Sequence, residues 1–295
     1  MGLQVRADSW LLIAREKGLF MKKNFILVLI LCSVLTGCAK KNTSETQNEF
    51  PSSIVALSPS AAEILFAVGA GNQVSAVCEF TDYPPEAAQK PIVGGFDGKT
   101  FSMESILSYK PDLLYITDGM HNFLIEQLNQ YGIKYYLSKA DSIASVKNEI
   151  LDIGKITGHE KEALSVVEEM DSKINSIKIA STQKTIYYEI WNSPFMTAGS
   201  KSFLTDVIKS AGFKNIFDDV EEAYPIVSEE SIIARKPEII LISSSSGLTK
   251  DSIKSRKGWE TIPAVQNDNI IIIDDNLYTR PAPRIADVVV ELAAR

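Results

Sequence analysis

Short apolar runs alternate with amphipathic stretches along most of the chain. Residues 54–57, 74–77, 113–116 and 134–137 are compact and rich in branched or aromatic side chains, as strands require. Between them, residues 61–68, 103–109 and 123–131 space their apolar positions three and four apart, the signature of a helix face. The alternation resumes later, with strands expected at 185–190, 239–242 and 270–273 and helices at 203–210, 229–235 and 284–294. Between the two sets, residues 160–178 place Ala163, Val167, Met170, Ile174 and Ile177 on one stripe and contain no Gly or Pro. Those 19 residues predict a single helix, about 28 Å long at 1.5 Å per residue.

Strand–helix–strand alternation implies parallel sheets covered by helices. The fold class is therefore α/β: two Rossmann-like lobes with mainly parallel sheets, joined by a single long α-helix, with a ligand cleft between the lobes. A helical connector, unlike a Gly/Ser linker, holds two lobes at a nearly fixed separation. The lobes also echo one another. Residues 102–117 align without gaps on residues 228–243, pairing Ser102 with Ser228, Glu104 with Glu230, Lys110 with Lys236 and Pro111 with Pro237. In each copy a serine can cap a helix, Lys-Pro ends it, and an acidic residue leads into a buried strand.

The N-terminus is organised for export. From Met21, two lysines precede an apolar run of about 11 residues, too short for the ~20 that a membrane-spanning helix needs. Small residues and Cys38 follow, so the run reads as a secretory signal peptide, and Leu35-Thr36-Gly37-Cys38 resembles a bacterial lipobox in which Cys38 carries the lipid. Residues 39–51 are polar and suit a flexible tether. The chain thus divides into an upstream extension and lipoprotein signal peptide (1–37), a tether (38–52), an N-terminal α/β lobe (53–158), a connecting helix (159–181) and a C-terminal α/β lobe (182–295). The location implied is the outer face of the cell membrane or the periplasm, with membrane contact through the lipid on Cys38.

Composition narrows the chemistry. The 295 residues are 45% hydrophobic and 23% charged, enough for two compact domains with cores of their own. Residues 1–37 hold five of the 30 basic and two of the 37 acidic side chains, leaving 25 against 35. A body this acidic is a poor nucleic-acid binder, because phosphate contacts need clustered cations. Once Cys32 leaves with the signal and Cys38 takes lipid, Cys78 stands alone, expected as a semi-buried strand residue. Two histidines and no cysteine cluster make no metal cage, and no cofactor is called for. The segment 94–100 has Val93 where a phosphate loop needs its first glycine, and Gly69-Ala70-Gly71 closes a helix.

Sites on parallel sheets open at the carboxyl ends of strands. There the sequence offers Ser58-Pro59-Ser60, a helix start with a possible capping box from Ser60 to Glu63 or a free amide cluster for an anion. It also offers Phe80, Phe96, Trp191, Tyr224 and Tyr278, loop aromatics that can either anchor their loops or give planar area to a wide, flat ligand. Arg280 lies beside Tyr278, and His121 sits in a further strand-end loop.

The segments 54–71, 81–85, 110–114, 213–217, 227–237 and 280–284, in this order and spacing, resemble the helical-backbone (class III) substrate-binding lipoproteins of ABC importers for cobalamin, haem and ferric siderophores, most of all the cobalamin binders. The resemblance covers residue 53 to the end and implies a non-enzymatic, monomeric binder of a corrinoid or another large metal chelate. It implies a ligand held edge-on by Phe80, Phe96, Trp191 and Tyr224; Tyr278 and Arg280 join them in the expected ligand-binding set. It further implies that Glu104 and Glu230 meet arginines of an ABC permease dimer driven by its ATPase, which fits the echo, since a twofold partner needs the same charge twice. A Trp of the family pattern near Asp118 is missing, and Phe replaces Tyr or Trp at positions 80 and 96. A ferric siderophore or haem is the alternative cargo. Two readings from other classes are an extracytoplasmic hydrolase using Asp82, Asp97 or Asp118, and an assembly lipoprotein.

Overall fold

The computed structural model describes residues 49–179, 181 and 183–295. The signal peptide, Cys38 and most of the tether lie outside them. The first lobe runs β1 (Ile54–Ala56), α1 (Pro59–Ala67), β2 (Val74–Val77), α2 (Met103–Ser108), β3 (Leu113–Thr117), α3 (Ile125–Tyr131) and β4 (Lys134–Ser138). Its four strands are all parallel, in the order β2-β1-β3-β4. Two helices follow, α4 (Ile143–Thr157) and α5 (Glu160–Asn175).

The second lobe runs β5 (Thr185–Glu189), a hairpin of β6 (Trp191–Asn192) and β7 (Phe195–Met196), α6 (Phe203–Ser210), β8 (Lys214–Asn215), α7 (Glu229–Arg235) and β9 (Ile239–Ser243). It ends with α8 (Lys250–Lys254), α9 (Pro263–Gln266), β10 (Ile270–Ile273), α10 (Asp275–Tyr278) and α11 (Ile285–Ala293). Its parallel sheet has the order β10-β9-β5-β8. Numbered within its own lobe and read from the other edge, that order is again second, first, third, fourth. The echo seen in the sequence is therefore an echo of topology, with α2 and α7 in equivalent places.

The repeat extends to single bonds. Ser102 Oγ accepts the Ser105 amide at 3.0 Å and Ser228 Oγ accepts the Ser231 amide at 3.2 Å, capping α2 and α7 alike. Both helices stop at a lysine in the left-handed region, Lys110 at φ 47° and Lys236 at φ 46°. A following proline disfavours the right-handed helical conformation for the residue before it, so the chain turns out of the helix there. Next, Asp112 accepts from the Ser52 and Ser53 amides at 2.8 and 3.0 Å, and Glu238 from the Thr185 amide at 2.9 Å. Each acidic residue thus pins the start of its lobe's first strand.

The expectation of two separate cores is corrected. Alternate strand residues divide the interior three ways: Val55, Leu57, Leu114 and Ile116 face a cluster private to the first lobe, and Tyr187, Ile240, Ile242 and Ile270 one private to the second. Between them a larger shared cluster takes Ile54 and Ala56 from one sheet, Ile186, Tyr188 and Leu241 from the other, and the inner faces of α1, α4, α5, α6 and α11. The cause is that each sheet is apolar on both faces, so the inner faces can only be covered in common.

The connecting helix is shorter than its pattern. It closes at Asn175 rather than Lys178, because Ser176 and Ile177 take tighter three-residue bonds to Lys173 and Ile174 and the Ser176 hydroxyl also donates to the Lys173 carbonyl at 2.6 Å. Nor does it stand free, since Ala163, Val167 and Met170 are buried in the shared cluster. Helix α4 has no counterpart among the expected elements, although Ile143, Val146, Ile150 and Ile153 mark its buried face and Gly158, at φ 80°, ends it.

The expected capping box at Ser60 also shifts. Ser58 is the cap, accepting the Ala61 amide at 3.1 Å with Pro59 in the first turn, and Glu63 turns away to another partner.

Candidate functional site

The carboxyl ends of the two sheets face each other. Arg280, beyond β10, places Nη1 2.5 Å from Asp82 Oδ1 and donates through Nη2 to the Phe80 carbonyl at 3.0 Å, and both partners lie in the loop after β2. Nearby, Arg284 donates to Glu63 of α1, through its backbone amide at 3.2 Å and Nη2 at 2.7 Å, while its guanidinium lies 3.7 Å from the Tyr83 ring centroid. On the opposite flank Asp206 of α6 accepts the Ile143 amide at 2.7 Å. Each lobe's first helix thus carries a carboxylate that holds the start of a helix beyond the other lobe's last strand. Helix N-termini attract negative charge, so both contacts are favourable in sign.

Four of the five candidate aromatics lie outside the buried cores, in contrasting settings. Phe80 is 71% exposed and adopts φ 64°, a conformation costing a residue with a side chain roughly 1–2 kcal/mol. The bond from Arg280 to its carbonyl keeps it there, ring outward. Trp191 is 55% exposed at the start of the hairpin, its indole N–H bonded to the Ser193 carbonyl at 2.9 Å. Tyr224 is 52% exposed on the segment that pairs with that hairpin, through Thr197 N–H to the Pro225 carbonyl at 3.1 Å and Gly199 N–H to Ala223 at 2.9 Å. Among the described residues no ring or cation stacks on Phe80, Trp191 or Tyr224, and each keeps more than half of its surface exposed. Phe96 is half-buried, edge-on to His121 at 5.9 Å.

Tyr278 is a correction. It is only 3% exposed and belongs to the shared core, because β10 leads into helix α10 instead of a loop and turns this ring inward. Burial pushes its hydroxyl up to about 12. Arg280 is corrected in role: at 8% exposure it is committed to Asp82 and Phe80 and positions the aromatic loop.

His121 is likewise no surface contact. It is fully buried; its Nδ1 accepts the Thr117 amide at 3.0 Å, so Nε2 carries the proton and donates to the Phe96 carbonyl at 2.9 Å. The surrounding loop closes on itself through the Gly95 amide and Thr100 Oγ1 at 2.5 Å, and a Cβ at Gly98 would meet the Phe123 ring at 2.7 Å. Cys78 is completely buried rather than half-buried, and burial pushes its thiol up to about 11, so it stays protonated and inert.

The three carboxyls expected for a hydrolase, Asp82, Asp97 and Asp118, are held below their ordinary range. Burial works to raise Asp82, but the Arg280 bond and charge outweigh it. The Lys99 amide lowers Asp97, and the Asn122 side chain lowers Asp118. None retains a proton near neutral pH to serve as a general acid.

Sequence reasoning missed the arginine pairs. Besides those of Arg280 and Arg284, Arg256 grips Glu189 at the end of β5 with two bonds of 2.6 and 2.7 Å. Lys99 and Lys201, on the aromatic loops, lie 3.1 and 3.5 Å from Asp97 and Glu221. The signal for Arg284 lay in the 280–284 motif, but nothing local pairs it with Glu63, which is 221 residues away. A further unread feature is the serine turn after β9, where the Ser244 and Ser245 hydroxyls donate to Asp275 at 2.9 and 2.7 Å.

Glu104 and Glu230 lie exposed in the first turns of α2 and α7. Among the described residues neither forms an ion pair.

Residues 54–277 match the periplasmic binding protein family. The chain belongs to that family. Its members are solute-binding proteins rather than enzymes and work outside the cytoplasm. No helix among the described residues is long and apolar enough to cross a membrane. The chain is similar to the vitamin B12-binding protein of Vibrio parahaemolyticus, with 27% identity over 250 residues, covering 83% of this chain and 89% of the relative. Among solved structures it resembles the periplasmic vitamin B12 binding protein of Vibrio cholerae, with TM-score 0.69 and 25% identity over 83% of this chain and 96% of that one. It also resembles a possible iron-binding periplasmic solute-binding protein of Staphylococcus epidermidis, with TM-score 0.73 and 29% identity over 83% and 98%.

Proposed function

We propose that this protein is the lipid-anchored receptor of an ABC importer and that its cargo is a corrinoid. The observation that carries the choice of cargo is the pairing of open aromatic faces with neutralised cations. Phe80, Trp191 and Tyr224 offer planar area, and Phe96 a half-buried ring, while Arg256, Arg280 and Arg284 each already face a carboxylate. A haem or a catecholate siderophore brings several negative charges, and withdrawing these from water without an unpaired cation is costly. A corrinoid is edged instead by uncharged amides, which need hydrogen-bond partners such as the serine turn at 243–246 and Asn276. The two vitamin B12-binding relatives support the same choice.

In this reading Glu104 and Glu230 engage matching cations on the two subunits of a permease dimer, and Cys38, lipidated after signal cleavage, keeps the receptor at the membrane. Repetition of the docking helix, its cap and its glutamate in both lobes supports a twofold partner.

Titration calorimetry of the purified receptor with cyanocobalamin, cobinamide, haemin and a ferric catecholate tests the cargo. Micromolar or tighter affinity for the two corrinoids is expected. Affinity confined to haemin or the ferric chelate would replace the cargo and keep the receptor role. Reversing both glutamates, Glu104→Lys with Glu230→Lys, is expected to stop cellular uptake and leave corrinoid affinity within twofold. A matching loss of affinity would instead place the pair in the binding site.

A further inference from the structure

Helix α7, which carries Glu230, is tied to the hairpin that carries Trp191 by a chain of side chains with buried links at Trp259 and Glu189. Glu229, the neighbour of Glu230, accepts the Trp259 indole N–H at 2.7 Å. Trp259 is fully buried, and the Arg256 guanidinium lies 4.5 Å from its ring centroid and 5.2 Å from that of Phe195 in β7. Arg256 then holds Glu189, the last residue of β5 and two positions before Trp191, with both ends of its fork. Glu189 is completely buried, and removing one partner of such a pair leaves an uncompensated charge, so the chain resists coming apart. A second connection runs through the backbone. Val227 N–H, just ahead of α7, bonds to the Phe195 carbonyl at 2.9 Å, and Met196 bridges to Ile226.

We infer that Glu229, Trp259 and Arg256 are positioning residues that make α7 and the Trp191 hairpin one mechanical unit, so that a pull on Glu230 displaces the Trp191 wall of the cleft. This rests on the proposed roles of Trp191 and Glu230. It adds a route by which docking loosens the cargo, through movement of the wall the ligand leans on. None of the three carries the exposed Trp191 ring or the Glu230 carboxylate, so they can be altered without removing either group.

The test uses the protein as the cell exports it, with three substitutions. Trp259→Phe keeps a ring in the core and deletes the N–H. Glu229→Ala deletes the acceptor, and Glu229→Gln keeps one. Amide hydrogen exchange without ligand is expected to quicken at least tenfold at Ile190, Thr197 and Val227 in Trp259→Phe and Glu229→Ala. It should stay at the wild-type rate in Glu229→Gln and, in every variant, in β9. Cyanocobalamin affinity is expected to weaken threefold to tenfold in the first two variants and to recover in the third. Wild-type exchange at the hairpin in both deletion variants overturns the linkage. Quickened exchange with unchanged affinity overturns its transmission to the cleft. If the hairpin responds but the wild-type protein takes no cyanocobalamin, the linkage stands and the corrinoid reading falls.

Discussion

Phe80 and Trp191 are exposed rings, one set by its backbone and the other by its indole N–H bond to Ser193, so truncating them tests binding with little effect on the fold. Phe80→Ala and Trp191→Ala are each expected to weaken corrinoid affinity roughly tenfold, about 1.4 kcal/mol, with the melting temperature almost unchanged, measured by calorimetry and thermal unfolding. His121 makes the opposite case. Burial holds its pKa below the ordinary 6.5, whereas the unfolded chain takes up the proton at that value. The stability it lends is therefore whole above pH 6.5 and drains away as the pH falls toward the folded-state value. Between pH 7.5 and 5 the wild type should lose more melting temperature than His121→Gln, and equal losses would contradict the assignment. At this scale the sequence revealed which residues stand at strand ends but not which way they face. Phe80 and Tyr278 look alike in the sequence. One is thrown outward by a left-handed backbone and the other drawn inward by a short helix, and both outcomes depend on residues far along the chain.

Among the elements, the Lys-Pro stops of α2 and α7 make a matched pair for experiment. Replacing Lys110 or Lys236 by Gly removes the Cβ penalty at positive φ, and each change is expected to stabilise by about 0.5–1 kcal/mol after the entropy that glycine adds to the unfolded chain, read from denaturant midpoints. The two gains should add, because the residues sit in different lobes. Seven of the strands were legible because each is a short apolar run bounded by polar turns, with 74–77 and 270–273 read to the residue, whereas β6, β7 and β8 are two residues long and form no such run. Helix α4 carried a comparable pattern behind the Ser142 cap, yet its Ile143, Val146, Ile150 and Ile153 stripe is broken by Gly154 inside the helix. That glycine is there for closeness, since a Cβ on it would come within 2.4 Å of the Ala163 Cβ on α5. Gly154→Ala should accordingly destabilise despite the better helix propensity of alanine, by about 1–3 kcal/mol in thermal unfolding.

For the molecule as a whole, the shared cluster predicts one cooperative unfolding transition in differential scanning calorimetry, with calorimetric and van't Hoff enthalpies in agreement. Two separated peaks would mean that the lobes melt independently. Glu63→Ala and Asp206→Ala remove the reciprocal holds on α11 and α4, and each should lower the midpoint without splitting the transition. The two-lobed plan was readable because its repeat is written locally, in the 102–117 and 228–243 segments. The joining of the cores was not, because it depends on how two apolar faces meet in space. That joining governs selection of cargo. With the waist filled by side chains of both halves, the gap between the strand ends has a set calibre, and a guest is accepted by its thickness before any lobe can adjust. A series of corrinoids with upper axial groups of increasing bulk should show affinity falling off abruptly at one size instead of sloping gently.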